Sequence, residues 1–264
     1  MTATLTAPDG TALAVESSGT GPPVVFVHGS NGGLHSWAGV AEHLTGHRVV
    51  RYSRRNHAPS GVGASPNDFA IEAADLHAVI AAVTDAAGAG AHVVGASYGA
   101  TVALHAAAAD DARIASLALF EPPLLLSGPH LATVLDRYRT LCAAARFADA
   151  LTLFLSEVAR IPPEILTAGP AVPDSEPAAV AAGADLEAMS RDGTDAGRWS
   201  VVDVLVLLMQ GGQSWSPLPE GVEQLASALP HVERVSWSDQ AHFATSAAPT
   251  RVAAAIQRFL GTPG

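Results

Sequence analysis

Cysteine is nearly absent from this chain, with Cys142 the only one among 264 residues. That excludes an intrachain disulfide and any cysteine-based metal site. The amphipathic neighbours of Cys142 mark it as a packed core residue rather than a nucleophile. Basic charge is also scarce: Lys and Arg total 14 against 25 Asp and Glu, a formal net charge of -11. A basic face for phosphates is not expected, so nucleic acid is excluded as a partner. No apolar run approaches the roughly 18 residues of a membrane span. The start Met1-Thr2-Ala3-Thr4-Leu5 has neither a basic segment nor an apolar core, so no membrane partner is expected and a soluble cytoplasmic protein is. With 15% charged and 48% apolar residues, what is present is a well-buried globular chain. Its length suits one enzyme-sized domain with an insertion.

The apolar residues are laid out as strands alternating with helices. Thr2 to Ala7 and Thr11 to Glu16 alternate around Pro8-Asp9-Gly10 and read as an antiparallel hairpin. Val24-Val25-Phe26-Val27 is a continuous apolar run of the kind a strand buried on both faces requires. A helix follows from Trp37 to Leu44, a strand from His47 to Tyr52, a long helix from Asn67 to Ala86, and a strand from Ala91 to Val94 leading into a helix from Ser97. Further strands are expected at Ile114 to Phe120, Val204 to Leu208 and Val232 to Trp237, with helices near Gly221 to Leu229 and Thr250 to Leu260. This alternation predicts an α/β fold, a mostly parallel sheet with helices on both faces.

About 80 residues between Phe120 and Val202 carry no strand signal, far too many for an ordinary connection. One helix there places Leu131, Val134, Leu135, Tyr138, Leu141 and Cys142 at helical spacing, and a second places Phe147, Leu151, Phe154, Leu155 and Val158. Ile161-Pro162-Pro163 breaks the pattern, and residues 169–177 read as a loop before a weaker helix to about Arg191. The division expected is a core of residues 1–121 and 201–264 and a helical cap of residues 122–200, read as a lid over a site. Leu131 and Leu135 are candidate substrate contacts on it. The plainer reading is that these stripes pack on the body or on a second subunit, which would make a homodimer.

Gly95-Ala96-Ser97-Tyr98-Gly99 spells G-x-S-x-G between a predicted strand and a predicted helix. In that setting small flanking residues let the backbone take a strained turn that lifts the serine hydroxyl above the sheet. A serine needs a positioned base. His242, in Asp239-Gln240-Ala241-His242-Phe243 between the last strand and the closing helix, is the best placed of 11 histidines. The oxyanion formed on attack needs N–H donors. Candidates are the amide of Tyr98 and, from the glycine-rich loop His28-Gly29-Ser30-Asn31-Gly32-Gly33, that of Ser30, with Asn31 as its neighbour. His28 itself reads as a structural hydrogen bonder.

Taken in order, Val27-His28-Gly29 with Trp37 downstream, the loop from Tyr52 to Gly61, Gly95 to Gly99 and the late His242 resemble the α/β-hydrolase fold over nearly the whole chain. The resemblance implies an eight-stranded sheet, a cap over the site and a cofactor-free nucleophilic mechanism. Two departures stand out. Where relatives commonly carry D-x-R-G-x-G, this chain has Ser53-Arg54-Arg55-Asn56-His57-Ala58, which points to structural ion pairs of Arg54 and Arg55. The acid of the triad, usually found after the seventh strand, is missing from Met209-Gln210-Gly211-Gly212-Gln213-Ser214-Trp215-Ser216-Pro217. Glu121, at the end of the preceding strand, occupies the position from which a minority of the family draws its acid. The requirement is only that a carboxylate accept Nδ1–H of the histidine, so Asp239 or a dyad without an acid stay as alternatives.

No metal or cofactor is expected: His105, Asp110 and Asp111 lack metal-ligand spacing, and Gly61-Val62-Gly63 lacks the rest of a dinucleotide loop. Trp215, beside the vacant acid position, is a candidate pocket wall. The leading expectation is a serine hydrolase of esters or lactones of a hydrophobic small molecule. A carbon–carbon bond hydrolase, a cofactor-free proton-abstraction enzyme using His242 as base, and a non-catalytic ligand-binding protein are the alternatives.

Overall fold

In the computed structural model, which describes residues 2–63, 66–84 and 90–261, the apolar runs form one eight-stranded sheet. Its strands are β1 (Thr2–Thr6), β2 (Ala12–Ser18), β3 (Pro23–Val27), β4 (Arg48–Tyr52), β5 (Ala91–Ala96), β6 (Ile114–Phe120), β7 (Val206–Gly211) and β8 (Val232–Trp237). They lie in the order β1-β2-β4-β3-β5-β6-β7-β8. The first hairpin and the β2–β4 pair are antiparallel, and every later pair is parallel.

The two-faced burial of this sheet is visible residue by residue. Val25 and Val27 of β3, Val93 of β5, Leu117 and Leu119 of β6, and Val206 and Leu208 of β7 face one core. Their neighbours Val24, Phe26, Val94, Ala118, Phe120, Leu207 and Met209 face the other. Successive strand side chains point to opposite faces, so a continuous apolar run is what a sheet covered on both sides demands. Helices α2 (Phe69–Val83), α3 (Tyr98–Ala109) and α8 (Leu218–Ala228) cover the first face. The short α1 (Ala38–Ala41) and the strongly amphipathic α10 (Pro249–Leu260) cover the second, packing Trp37, Val40, Val252, Ile256 and Phe259 there. Truncating a buried side chain such as Leu104 would cost about 2–5 kcal/mol.

Boundaries differ from expectation where pairing outranks apolarity. β7 begins at Val206 rather than Val204 and runs on through Gln210 and Gly211, because its register with β8 extends to the Gly211–Trp237 pair. α2 starts at Phe69, capped by Asp68, whose side chain accepts from the Ile71 amide at 2.8 Å. The last two residues of the expected helix, 85 and 86, lie outside the described residues.

No residue between Phe120 and Val206 is in a strand. The segment holds α4 (Ala132–Ala143), α5 (Phe147–Leu153), which continues as a π-helical turn over Phe154–Val158, α6 (Pro163–Ala168) and α7 (Glu176–Arg191). α6 stands where only a break was expected; Pro163 occupies its first turn, where a missing N–H costs nothing.

Candidate active site

Ser97 sits between β5 and α3 with φ 52° and ψ -125°, a backbone conformation that ordinary residues avoid and that costs about 1–3 kcal/mol. The glycines beside it make the turn possible by close approach. A Cβ on Gly95 would lie 2.6 Å from the carbonyl oxygen of Gly99, and one on Gly99 would lie 2.5 Å from that of His28. Two other residues of the region share the left-handed backbone, Glu121 at φ 42° and Asn31 at φ 55°.

His242, in the loop between β8 and α9 (Ala244–Ala247), places Nε2 3.0 Å from Ser97 Oγ and Nδ1 2.7 Å from Glu121 Oε2. A carboxylate can only accept, so Nδ1 carries the proton and the Nε2 lone pair faces the serine hydroxyl. Glu121 is fully buried at the end of β6. Its second oxygen, Oε1, accepts from the Gly211 amide and from Ser214 Oγ, each at 2.7 Å. The loop after β7, where no acid stands, thus supplies donors that hold the carboxylate of the neighbouring strand. Gly211 serves twice, since a Cβ there would lie 2.7 Å from Cα of Ala241 and block the histidine loop. Asp239 is exposed and paired with Arg251 at 2.7 Å, turned to the surface.

The loop after β3 lies against the serine: a Cβ on Gly29 would be 3.2 Å from Ser97 Cβ, and Ser30 and Asn31 line the same cavity as Ser97. His28 fixes this loop. It is buried, its Nδ1–H donates to the Gly29 carbonyl at 2.8 Å, and Nε2 accepts from the Arg54 amide at 3.0 Å. Burial and the neighbouring Arg54 charge hold its pKa well below the ordinary imidazole range. The Tyr98 amide is the first of α3, one of the helix N–H groups without an intrahelical partner. The Tyr98 side chain points away, its hydroxyl donating to Glu72 Oε1 at 2.8 Å.

Beneath Ser97, the loop Ser53 to Ala58 forms an ion network that is buried around Arg54 and reaches the surface at Asp9. The Arg54 guanidinium donates to Glu72 at 2.8 Å and, through both terminal nitrogens, to Asp185 of α7 at 2.9 Å, and lies 4.2 Å above the Tyr98 ring. Arg55 pairs with Asp75 at 2.6 Å and Asp9 at 2.8 Å. Glu72 and Asp185, 18 and 131 residues from Arg54, were not apparent in the sequence as its partners, since long-range pairing leaves no local pattern.

Ser97, His242, Ser30 and Asn31 open onto a cavity of about 780 Å³. Trp215 forms part of its wall; the indole N–H donates to the Ala159 carbonyl at 3.0 Å, and only the ring is presented. Leu131 and Leu135 do not line it. Leu131 packs in the first core, and Leu135 borders a separate 220 Å³ cavity with Tyr138 and the half-buried Cys142. The helical stripe facing the site is instead Phe154, Leu155 and Val158, joined by Ile165, Leu166 and Val172. Of the residues sequence reasoning missed, Ser214 and Phe243 carried a signal: one stands in the loop lacking an acid, the other follows His242. Among the described residues no group of three or more His, Cys, Asp or Glu side chains is disposed to hold a metal ion, and no helix is long and apolar enough to cross a membrane.

The family profile described as alpha/beta hydrolase fold matches residues 22–246. The chain belongs to this family. It is similar to an α/β hydrolase from Sphaerobacter thermophilus DSM 20745, at 33% identity over 98% of this chain and 100% of that one, with a TM-score of 0.83. A thermophilic esterase from Thermogutta terrifontis shares the fold with a TM-score of 0.78, at 23% identity over 98% of both chains. The pimeloyl-(acyl-carrier protein) methyl ester esterase of Methylococcus capsulatus is 40% identical over 110 residues, 40% of this chain and 39% of that protein. The chain thus spans about two fifths of the length of the curated relatives it matches. The chain has the α/β-hydrolase fold.

Proposed function

We propose that the protein hydrolyses carboxylic esters or lactones of hydrophobic small molecules through an acyl-enzyme on Ser97. The observation that carries this reading is the continuous chain of hydrogen bonds from Glu121 through His242 to Ser97, at 2.7 and 3.0 Å, ending in the wall of an apolar cavity. His242 Nε2 takes the proton of Ser97 as Oγ bonds to the carbonyl carbon. Glu121 fixes the tautomer and stabilises the imidazolium. The amides of Ser30 and Tyr98 hold the oxyanion, whose charge also lies near the positive end of α3. Collapse expels the alkoxide, which takes the proton from His242. Water then enters, His242 deprotonates it as the water oxygen bonds to the acyl carbon, and collapse breaks the bond to Oγ as His242 returns the proton to Ser97, releasing the acid. The helical segment between β6 and β7 acts as a cap that supplies the apolar wall.

Intact-mass analysis after fluorophosphonate treatment, alongside turnover of p-nitrophenyl esters, tests the reading. One adduct on wild type, none on Ser97→Ala, and a fall in kcat of about 10⁵-fold or more in that variant are expected. Ester turnover that survives in Ser97→Ala while failing in His242→Ala would replace it with proton-abstraction chemistry.

A further inference from the structure

We propose that the enzyme selects esters whose acyl arm carries no negative charge, and that Glu164 at the rim of the cavity turns away anionic substrates. This rests on the ester-hydrolase reading above and specifies its substrate class. The chain contains no lysine; all 14 basic residues are arginines. Among the described residues none of them lines the cavity. Arg54, the arginine beneath the nucleophile, already donates to Glu72 and Asp185. Away from Ser97, His242 and the Ser30–Asn31 loop, the walls offer a substrate carboxylate no partner: Phe154, Val158, Ile165 and Val172 are aliphatic or aromatic, and the Trp215 N–H is occupied by the Ala159 carbonyl.

A carboxylate placed there would lose its hydration without compensation, which is costly in an apolar setting. The single acidic residue in the lining is Glu164, on the exposed α6, so it meets solvent and cavity together. Its charge, added to a net charge of -11 over the whole chain, disfavours the approach of an anion and favours a cation by long-range field. An uncharged chain meets neither penalty and gains about three- to fourfold in kcat/KM for each methylene it buries.

The test holds the leaving group, and with it the chemical step, constant. The p-nitrophenyl esters of hexanoate, of adipate as its monoester, and of 6-(trimethylammonio)hexanoate are compared by kcat/KM, on wild type and on Glu164→Gln. The neutral ester is expected to exceed the carboxylate-ended one by a hundredfold or more, and the ammonium ester to exceed the carboxylate one by at least threefold. Glu164→Gln is expected to narrow that last gap, and 0.5 M salt to narrow it in wild type. A carboxylate-ended ester cleaved within tenfold of the neutral one would overturn the proposal, and an unchanged gap in Glu164→Gln would overturn the role of Glu164. If none of the three esters is cleaved and a fluorophosphonate leaves Ser97 unmodified, the ester-hydrolase reading itself has failed.

Discussion

Two carboxylate networks meet at consecutive residues, Ser97 and Tyr98, and they differ in access. Around Arg54 every charged group is sealed, the side chains of Arg54, Glu72 and Asp185 being between 0 and 2% exposed. The Glu121 carboxylate is sealed as completely, but its hydrogen bonds lead outward through His242, 13% exposed, to a hydroxyl in a cavity wall. Both networks satisfy buried charge by hydrogen bonding, as a low-dielectric interior requires. The closed one joins the loop after β4 to α2 and α7. The open one ends on the Ser97 hydroxyl in the cavity wall. Burial of an acid is therefore shared by a structural bolt and the proposed catalytic relay, and the open end separates them.

The largest effect that would break this contrast is on the closed side. Asp185→Ala leaves Arg54 with half of its carboxylate partners, and urea unfolding should show a loss of about 3–5 kcal/mol. The kcat of the folded protein should change by less than tenfold; a catalytic collapse with unchanged stability would erase the distinction. Acid should act on the same side. His28 and His57 both have pKa values below the ordinary 6.5, burial being the first cause in each, with the Arg54 charge adding to it. Below about 6.5 the unfolded chain therefore binds protons that the folded chain refuses. Stability should be fully present at neutral pH and fall as pH drops, by up to about 1.4 kcal/mol per pH unit for each imidazole. Thermal melting between pH 7.5 and 5 measures it, and a melting point that rises on acidification would contradict these buried neutral imidazoles. On the open side, Ser214→Ala removes one of the two donors to Glu121 Oε1. About a tenfold loss in kcat should accompany a loss in unfolding free energy of about 1.5 kcal/mol, the worth of a hydrogen bond to a charged group and less than that expected for Asp185→Ala.

The same contrast explains what could be read from the amino acids. Directional chemistry confined to short stretches was legible: Ser97 between its glycines, His242 after the last strand, and the missing acid after β7 that turned attention to Glu121. The sheet was legible because the runs at Val24, Ile114 and Val204 can be buried only from both sides, although β7 starts two residues late and runs on to Gly211 to satisfy its pairing with β8. The cavity wall was not. Apolar stripes in the helical segment announce that something is buried but not against what, and Leu131 and Leu135 turned to the core and to a second cavity while Phe154 and Val158 faced Ser97. That Arg54 and Arg55 make ion pairs was legible, but their partners were not, since Arg54 and Asp185 lie 131 residues apart and nothing local marks them as a pair.

The central claim is that the acid steadying His242 comes from the end of β6. Ester turnover and fluorophosphonate labelling rates of Glu121→Gln and Asp239→Asn, measured side by side on folded protein, test it most directly. The structure predicts a loss of about 10³- to 10⁴-fold for Glu121→Gln, where an amide can no longer hold the imidazolium, and less than threefold for Asp239→Asn, whose carboxylate is engaged by Arg251 at the surface. Retention of activity within tenfold in Glu121→Gln, or a larger loss in Asp239→Asn, would contradict it.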